Sequence, residues 1–245
     1  MRDSLLRGEN HLAKTAQPPK SAQTLDDTQP IARQIYAALR QRIVRAELLP
    51  GEVISETEVA REYGISRQPV REAFIKLAEG DLVQIRPQRG TMISRISRDG
   101  VMDARFIREA IEADIVRNLA GSIDDAMIKE LRSQIAAQLA LGLEQADEFV
   151  KLDELFHRSL AEMAGVSGAW GVIETVKTQM DRVRFLSVQR SHVEKLISQH
   201  SAVVEALAKR EAVGAEQAIR QHLREILNTF PELERTRPEL FSPGS

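Results

Sequence analysis

The chain contains five histidines, and three of them fall where side chains should turn inward. His157, His200 and His222 each lie in an apolar stripe at helical spacing. Phe149, Asp153, Phe156, His157 and Leu160 make the first stripe. Leu196, Ile197, His200, Val203 and Leu207 make the second, and Ile219, His222, Leu223 and Ile226 the third. Asp153 stands one helical turn before His157, on the same side. An inward carboxylate is costly unless it is paired or bound to a cation. One carboxylate and three neutral imidazoles form a donor set suited to a divalent first-row metal, with Zn, Ni, Mn and Fe all compatible. A buried histidine is more often a hydrogen-bonded core residue, so the pattern alone leaves both readings open. His11 and His192 lie apart, in the N-terminal segment and near a helix start.

Two nearby features sharpen the chemistry. Glu154-Leu-Phe-His157 matches the Glu-x-x-His unit of di-iron bundles. That chemistry needs a second such unit, and neither His200 nor His222 has a glutamate three residues earlier, so it is set aside. Val101, Ala104, Arg108, Ile111 and Ile115 form another stripe with an arginine embedded in it. Arg108 can clamp a carboxylate ligand or pair with a structural glutamate. From pattern alone the glutamate pairing is favoured.

A second constellation lies upstream, in Gly64-Ile-Ser66-Arg67-Gln68-Pro-Val-Arg71. Arg67 and Arg71 share the face opposite Val70 and Phe74, and Gln68 sits beside them. Arginine and glutamine at the start of a recognition helix read base edges in the DNA major groove. Arg89 and Gly90 fall at the tip of a hairpin, where a cation and a close backbone approach suit phosphate. Arg40 and Arg45 on the preceding helix are candidates for backbone contacts.

The elements that would position these residues are legible. Ile35, Leu39 and Ile43 repeat at helical spacing, and Leu49-Pro50-Gly51 ends that helix. Ser55-Glu-Thr-Glu58 is a capping box opening a second helix, which Gly64 stops. Ser66 caps a third helix, with Pro69 in its first turn. Leu82–Ile85 and Thr91–Ile93 read as short strands joined through Pro87-Gln88-Arg89-Gly90. This order is a winged helix-turn-helix. Beyond it six helices are expected, near 99–121, 124–142, 145–165, 168–190, 192–211 and 215–230. Ser122-x-x-Asp125 and Ser191-x-x-Glu194 serve as capping signals, and Pro231 as the stop. The expected fold is mainly α: a disordered arm over 1–29, a winged helix-turn-helix domain over 30–97, an all-helical bundle over 98–231 and a polar tail over 232–245.

Charge follows the same division. The 245 residues carry a formal net charge of −2. Residues 30–97 hold 11 Lys+Arg against 8 Asp+Glu, a net of +3, and ten of the cations are arginine. Residues 98–231 hold 17 against 21, a net of −4. Arginine's planar donor fork suits phosphate and guanine edges, which fits a DNA-binding first half. The absence of cysteine excludes disulfides, thiolate nucleophiles and cysteine-based zinc sites. No apolar run approaches the ~20 residues that span a bilayer, and the N-terminus lacks an apolar signal core. The chain reads as a soluble, cytoplasmic protein with no membrane partner.

Leu49-Pro50-Gly51, Ser55-Glu56-x-Glu58-Val59-Ala60, Gly64-Ile65-Ser66-Arg67-x-Pro69-Val70-Arg71-Glu72-Ala73, Leu82-Val83 and Arg89-Gly90 together resemble the N-terminal domain of GntR-family bacterial transcription regulators. Asp81 departs from the glycine usual before Leu-Val, and aspartate tolerates a left-handed backbone better than most residues. Phe106-Ile107-Arg108-Glu109-Ala110-Ile111-Glu112 and Asp153-Glu-Leu-Phe-His157-x-x-Leu160 resemble the helical effector (FCD) domain of the FadR-type branch. The resemblance implies DNA contacts from Ser66, Arg67, Gln68, Arg71, Arg89 and Gly90. It implies metal ligation by Asp153, His157, His200 and His222. It also implies a small organic acid at the metal, held by Arg108, with Arg184 as a further candidate. The reading is therefore a ligand-responsive repressor that binds a palindromic operator as a homodimer. Its rivals are a metal-dependent enzyme acting on an organic acid and a constitutive architectural DNA-binding dimer.

Overall fold

A computed structural model of the chain describes residues 25–141, 146–187 and 190–242. The first half is a winged helix-turn-helix built from α1 (Ile31–Val44), β1 (Val53–Ile54), α2 (Glu56–Tyr63), α3 (Arg67–Glu79), β2 (Val83–Arg86) and β3 (Gly90–Ile93). Ile35, Leu39 and Ile43 of α1 pack on Val70, Phe74 and Leu77 of α3. The Ser55 hydroxyl accepts from the Glu58 N–H at 3.1 Å and lies 2.9 Å from Glu58 Oε2, so Ser55 caps α2 as predicted. Gly64 ends α2 in the left-handed region, at φ 65°. Asp81 adopts the left-handed backbone its type permits, at φ 55°. The wing gains a strand that the sequence did not announce: β1 pairs antiparallel with β3, giving the order β1-β3-β2.

Residues 1–24 of the predicted arm lie outside the described residues. The remainder of that arm, 25–29, is tied to α1. Gln34 Nε2 donates to the Asp26 carbonyl at 2.7 Å, and Leu25 packs against the first core.

The second half comprises α4 (Arg98–Ser122), α5 (Asp125–Leu139), α6 (Ala146–Met163), α7 (Ser167–Val176), α8 (Thr178–Leu186), α9 (Arg190–Ala208), α10 (Ala212–Leu223) and α11 (Ile226–Thr236). Among the described residues eight α-helices thus stand where six were expected. The helix expected over 168–190 divides at Lys177, whose buried ammonium is held by Asp181 at 2.6 Å and by Glu154. The helix expected over 215–230 ends at Leu223, and a new one begins at Ile226. The start of α5 is capped by Asp124, which accepts from the Met127 N–H, rather than by Ser122.

Pro231 does not stop the chain's last helix. It sits inside α11, where it forfeits one backbone donor. Burial of Phe230 outweighs that loss, because it joins Ile96, Val101, Met180, Val183, Ile226, Leu240 and Phe241 in a third apolar cluster. The expected polar tail is consequently folded through Ser242. Phe241 meets Phe230 edge to face at 5.3 Å. The Ile96 N–H donates to the Leu240 carbonyl at 2.9 Å, and the Ser242 N–H donates to the Ile96 carbonyl at 3.0 Å. The C-terminal segment therefore straps the linker between the two halves.

Phe241→Ala should destabilise the protein by about 3 kcal/mol, the usual range for a buried phenylalanine. Urea denaturation followed by circular dichroism checks this; no loss of stability would mean the strap is not seated in solution.

Candidate functional site

Three helices deliver the predicted donor set to one point. Asp153 and His157 project from α6, His200 from α9 and His222 from α10, and all four are buried. One ligand atom from each lies within 4.8 Å of the others. His157 Nε2 is 3.1 Å from His222 Nε2, and His200 Nε2 is 3.2 Å from the same atom. Asp153 offers Oδ1 at 3.5 Å from His200 Nε2 and Oδ2 at 3.8 Å from His157 Nε2. Phe156 stacks on the His200 ring at 4.4 Å and limits its rotation.

The outward nitrogens determine the tautomers. His157 Nδ1 is 2.5 Å from Glu112 Oε2, which can only accept. His200 Nδ1 donates to Gln138 Oε1 at 2.9 Å, and His222 Nδ1 to Gln199 Oε1 at 3.3 Å. Both glutamine amides are oriented by their own donations, Gln138 Nε2 to the Leu152 carbonyl and Gln199 Nε2 to Glu225 Oε2. With every Nδ1 protonated, a neutral ring presents its Nε2 lone pair to the centre. Burial pushes His200 down to about 3, assisted by the nearby His157 and Arg184, although Asp153 opposes the shift. Burial, with the neighbouring imidazoles, also holds His222 well below its ordinary value. Lone pairs therefore face lone pairs, beside Asp153 Oδ1, which lacks a hydrogen-bond partner among the described residues. This arrangement repels itself unless a cation occupies the centre, and the chemistry of the donors fits a divalent metal.

Arginines flank the cluster. Arg184 of α8 is paired with Asp153 Oδ2. Burial alone would raise the Asp153 pKa, but Arg184 and the imidazoles hold it well below the carboxylate range. Arg108 donates through Nε to Glu112 Oε1 at 2.7 Å, so the glutamate partner favoured by pattern is present. Its Nη2 nevertheless remains buried without a partner among the described residues. Burial would raise Glu112 too, and Arg108 with His157 instead hold it near 2. A narrow cavity of ≈ 20 Å³ lies beside this group, lined by Arg108, Met180, Arg184, His192, His222 and Thr229 among others. It has room for about one water, so a larger ligand must open it.

Ser66, Arg67, Gln68, Arg71 and Arg89, the residues expected to meet DNA, are exposed. Arg67 pairs with Glu56 at 3.1 Å, and Gln68 donates to Glu72 at 3.1 Å. Such surface contacts are weak and exchangeable. Gly90 has an internal reason to be glycine. Its φ is 83°, and a Cβ there would lie 2.7 Å from Val53 Cγ1 across the wing. Arg45 approaches Glu47 at 4.0 Å. Arg40 has partners in the other half: its guanidinium donates to Thr178 Oγ1 of α8 at 2.9 Å and to Asp181 Oδ2 at 3.3 Å. Two further α8 residues cross the same boundary. Gln179 donates to the Asp81 carbonyl and Arg182 to the Ser94 carbonyl.

Residues 31–93 match the family described as bacterial regulatory proteins, gntR family, and residues 103–225 match the FCD domain. The chain belongs to the GntR family of bacterial transcription regulators. It is 41% identical over 220 residues to the HTH-type transcriptional repressor RspR of Escherichia coli K12, covering 89% of this chain and 96% of that protein. A Streptomyces ambofaciens regulator, known as the HTH-type transcriptional regulator in unstable DNA locus, is 36% identical over 86% of this chain and 89% of its own length. The solved structure of E. coli McbR/YncC superposes with a TM-score of 0.69 at 17% identity, covering 82% of this chain and 98% of that one, which supports the fold. As a GntR regulator the protein binds DNA and is not an enzyme. Among the described residues no helix is long and apolar enough to cross a membrane.

Sequence reasoning missed Glu112, Gln138 and Gln199, which hold the imidazoles, and the polar face of α8. Glu112 lay within the quoted Phe106–Glu112 segment, four residues after Arg108, and that spacing was the available signal.

In chelated protein the buried His200 and His222 stay neutral, whereas the unfolded chain protonates them below about pH 6.5. The unfolded state then binds more protons, so stability falls as pH drops from about 6.5 toward 3. Each histidine adds a slope of up to about 1.4 kcal/mol per pH unit. Denaturant melts between about pH 7 and pH 5 should show this loss; a flat profile would contradict neutral imidazoles.

Proposed function

We propose that the protein is a metal-dependent transcription repressor whose operator binding responds to a small carboxylate. The observation that carries this reading is the convergence of three Nε2 lone pairs and a carboxylate, each imidazole locked from behind by an acceptor. Asp153, His157, His200 and His222 would hold the ion, of the Zn, Ni, Mn or Fe class. When bound, it supplies open coordination positions for an effector's oxygens. The buried charges favour an anion. Asp153 and Glu112 balance Arg184 and Arg108, so a divalent ion leaves the site at plus two. Arg108 brings its unpartnered Nη2 to a carboxylate without leaving Glu112.

Coupling to DNA runs through α8. Met180 lines the cavity and Arg184 grips the ligand Asp153, while Thr178, Gln179, Asp181 and Arg182 hold Arg40, Asp81 and Ser94. An effector that shifts α8 also shifts the grip on α1 and the linker. The operator-binding equilibrium then moves by the effector's differential affinity for the two arrangements. Two copies would present their α3 helices to a palindromic operator one DNA turn apart, with Ser66, Arg67, Gln68 and Arg71 at base edges or phosphates and Arg45, Arg89 and Gly90 near the backbone. The repressor sign follows the relative RspR, described as a repressor. The setting is the bacterial cytoplasm. An architectural dimer without an effector would leave the opposed lone pairs and the free Arg108 Nη2 without a role.

Metal analysis of the purified protein tests the reading directly. Wild type should carry a stoichiometric divalent ion, and His200→Ala should lose most of it while keeping its helical spectrum. Full occupancy in the variant would mean that the ligand set is wrong. On the DNA side, Arg71→Ala should weaken binding to a selected operator duplex by about 1–3 kcal/mol if it makes a bidentate base contact. Unchanged affinity would exclude this docking.

A further inference from the structure

A cleft of ≈ 330 Å³ lies between the two halves, with α1 on one side and α6 and α8 on the other. It is of small-molecule size, and ligand sites favour the seams between domains. None of the four donors of the histidine cluster lines it. Its walls are mainly apolar: Tyr36 and Val44 from α1, Val150 from α6 and Phe185 from α8. Its ionic groups are already paired. Asp181 Oδ2 accepts from Lys177 Nζ at 2.6 Å and from Arg40 Nη2 at 3.3 Å, and Lys177 also holds Glu154. Lys151 is paired with Glu148 at 2.9 Å. One polar atom is left over. Asp181 is only 3% exposed, and its Oδ1 is buried with no hydrogen-bond partner among the described residues.

We propose that this cleft is a second ligand site, for a small neutral aromatic molecule of the phenol type whose donor meets Asp181 Oδ1. The apolar walls call for an apolar body, and the Tyr36 and Phe185 rings give a flat ring two aromatic neighbours. The leftover atom calls for a donor. Burial would raise the Asp181 pKa, but Lys177 and Arg40 hold it below the ordinary carboxylate value, so Oδ1 can only accept. The charges call for a neutral one. Asp181 and Glu154 balance Lys177 and Arg40, so the four together carry no net charge. A cationic ligand would meet two cations already on that carboxylate, and an anionic ligand would meet the carboxylate itself. A ring without a donor would leave Oδ1 unpaired and strip away any water that reaches it. An occupant touches α1 on one side and α6 and α8 on the other, so it bears on the contact between the two halves through a site separate from the histidine cluster.

Calorimetric titration of the full-length protein as purified, with three single-ring probes, tests this. The probes are para-cresol, para-methylanisole, which has the same ring with its donor methylated, and the cation benzylamine. Para-cresol should bind at least about tenfold tighter than either of the others. Ala37 is exposed on α1 and lines the cleft, so Ala37→Trp fills the cleft without entering a core. That variant should lose para-cresol binding while keeping the helical spectrum and metal content of wild type. In folded Asp181→Asn protein the gap between para-cresol and para-methylanisole should shrink, because a neutral amide oxygen is a weaker acceptor than a carboxylate. Para-methylanisole or benzylamine binding as tightly as para-cresol would overturn the neutral-donor assignment. Unchanged para-cresol affinity in Ala37→Trp would overturn the location, and an undiminished gap in Asp181→Asn would overturn Asp181 as the acceptor. No para-cresol binding to wild type would remove the site altogether and leave the metal-site reading untouched.

Discussion

Three imidazole nitrogens held lone pair to lone pair in a buried interior are the constraint around which the helical half is arranged. Such a contact is unfavourable by itself, so the surrounding structure must hold it. Glu112 from α4, Gln138 from α5 and Gln199 from α9 each accept from one outward Nδ1–H and prevent the rings from turning away. Glu112 is held in turn by Arg108, and Gln199 by Glu225. Asp153 is balanced by Arg184 from α8. Helices α4, α5, α6, α8, α9 and α10 thus all contribute a polar group to one buried centre. Any change at that centre is felt by most of the bundle.

Helix α8 connects that centre to the DNA-reading half. Nine residues long, it carries buried polar side chains on almost every face, which no isolated helix of its length would tolerate. Their partners come from several parts of the chain: Arg40 of α1, the carbonyls of Asp81 and Ser94, the ammonium of Lys177 and the carboxylate of Asp153. The break at Lys177 separates α8 from α7. Met180 and Val183 also join the apolar cluster in which Phe230 and Phe241 tie the C-terminal segment to Ile96. The linker is therefore gripped from two sides, by ions from α8 and by apolar packing and a backbone bridge from the tail.

Much of the candidate site was legible because its residues repeat at helical spacing. Asp153 and His157 are one turn apart, and His200 and His222 lie in apolar stripes of their own, so all four had to point inward. The DNA-reading helix was legible for a related reason, since Val70 and Phe74 assign Arg67 and Arg71 to the opposite face. In the sequence Arg40 is legible only as a cation on a helix, suited to a phosphate contact. Only the packing of α1 on α8 reveals Asp181 beneath it. Pro231 misled because its local penalty is certain, while the burial of Phe230 beside it depends on residues far away in the sequence, such as Ile96 and Val101.

By itself the sequence determined residue types, their periodicity and the caps that start and stop most elements. Those are local properties, decided within a few turns of chain. From them follow the winged helix-turn-helix, the helical second half and the identity of four inward donors. The tertiary structure alone decided who stands behind each imidazole, which arginine edge stays free, where α7 parts from α8 and why the last helix runs through a proline. Each of these depends on the angle at which helices from distant parts of the chain cross. Periodicity states which face is buried, not which neighbour it meets.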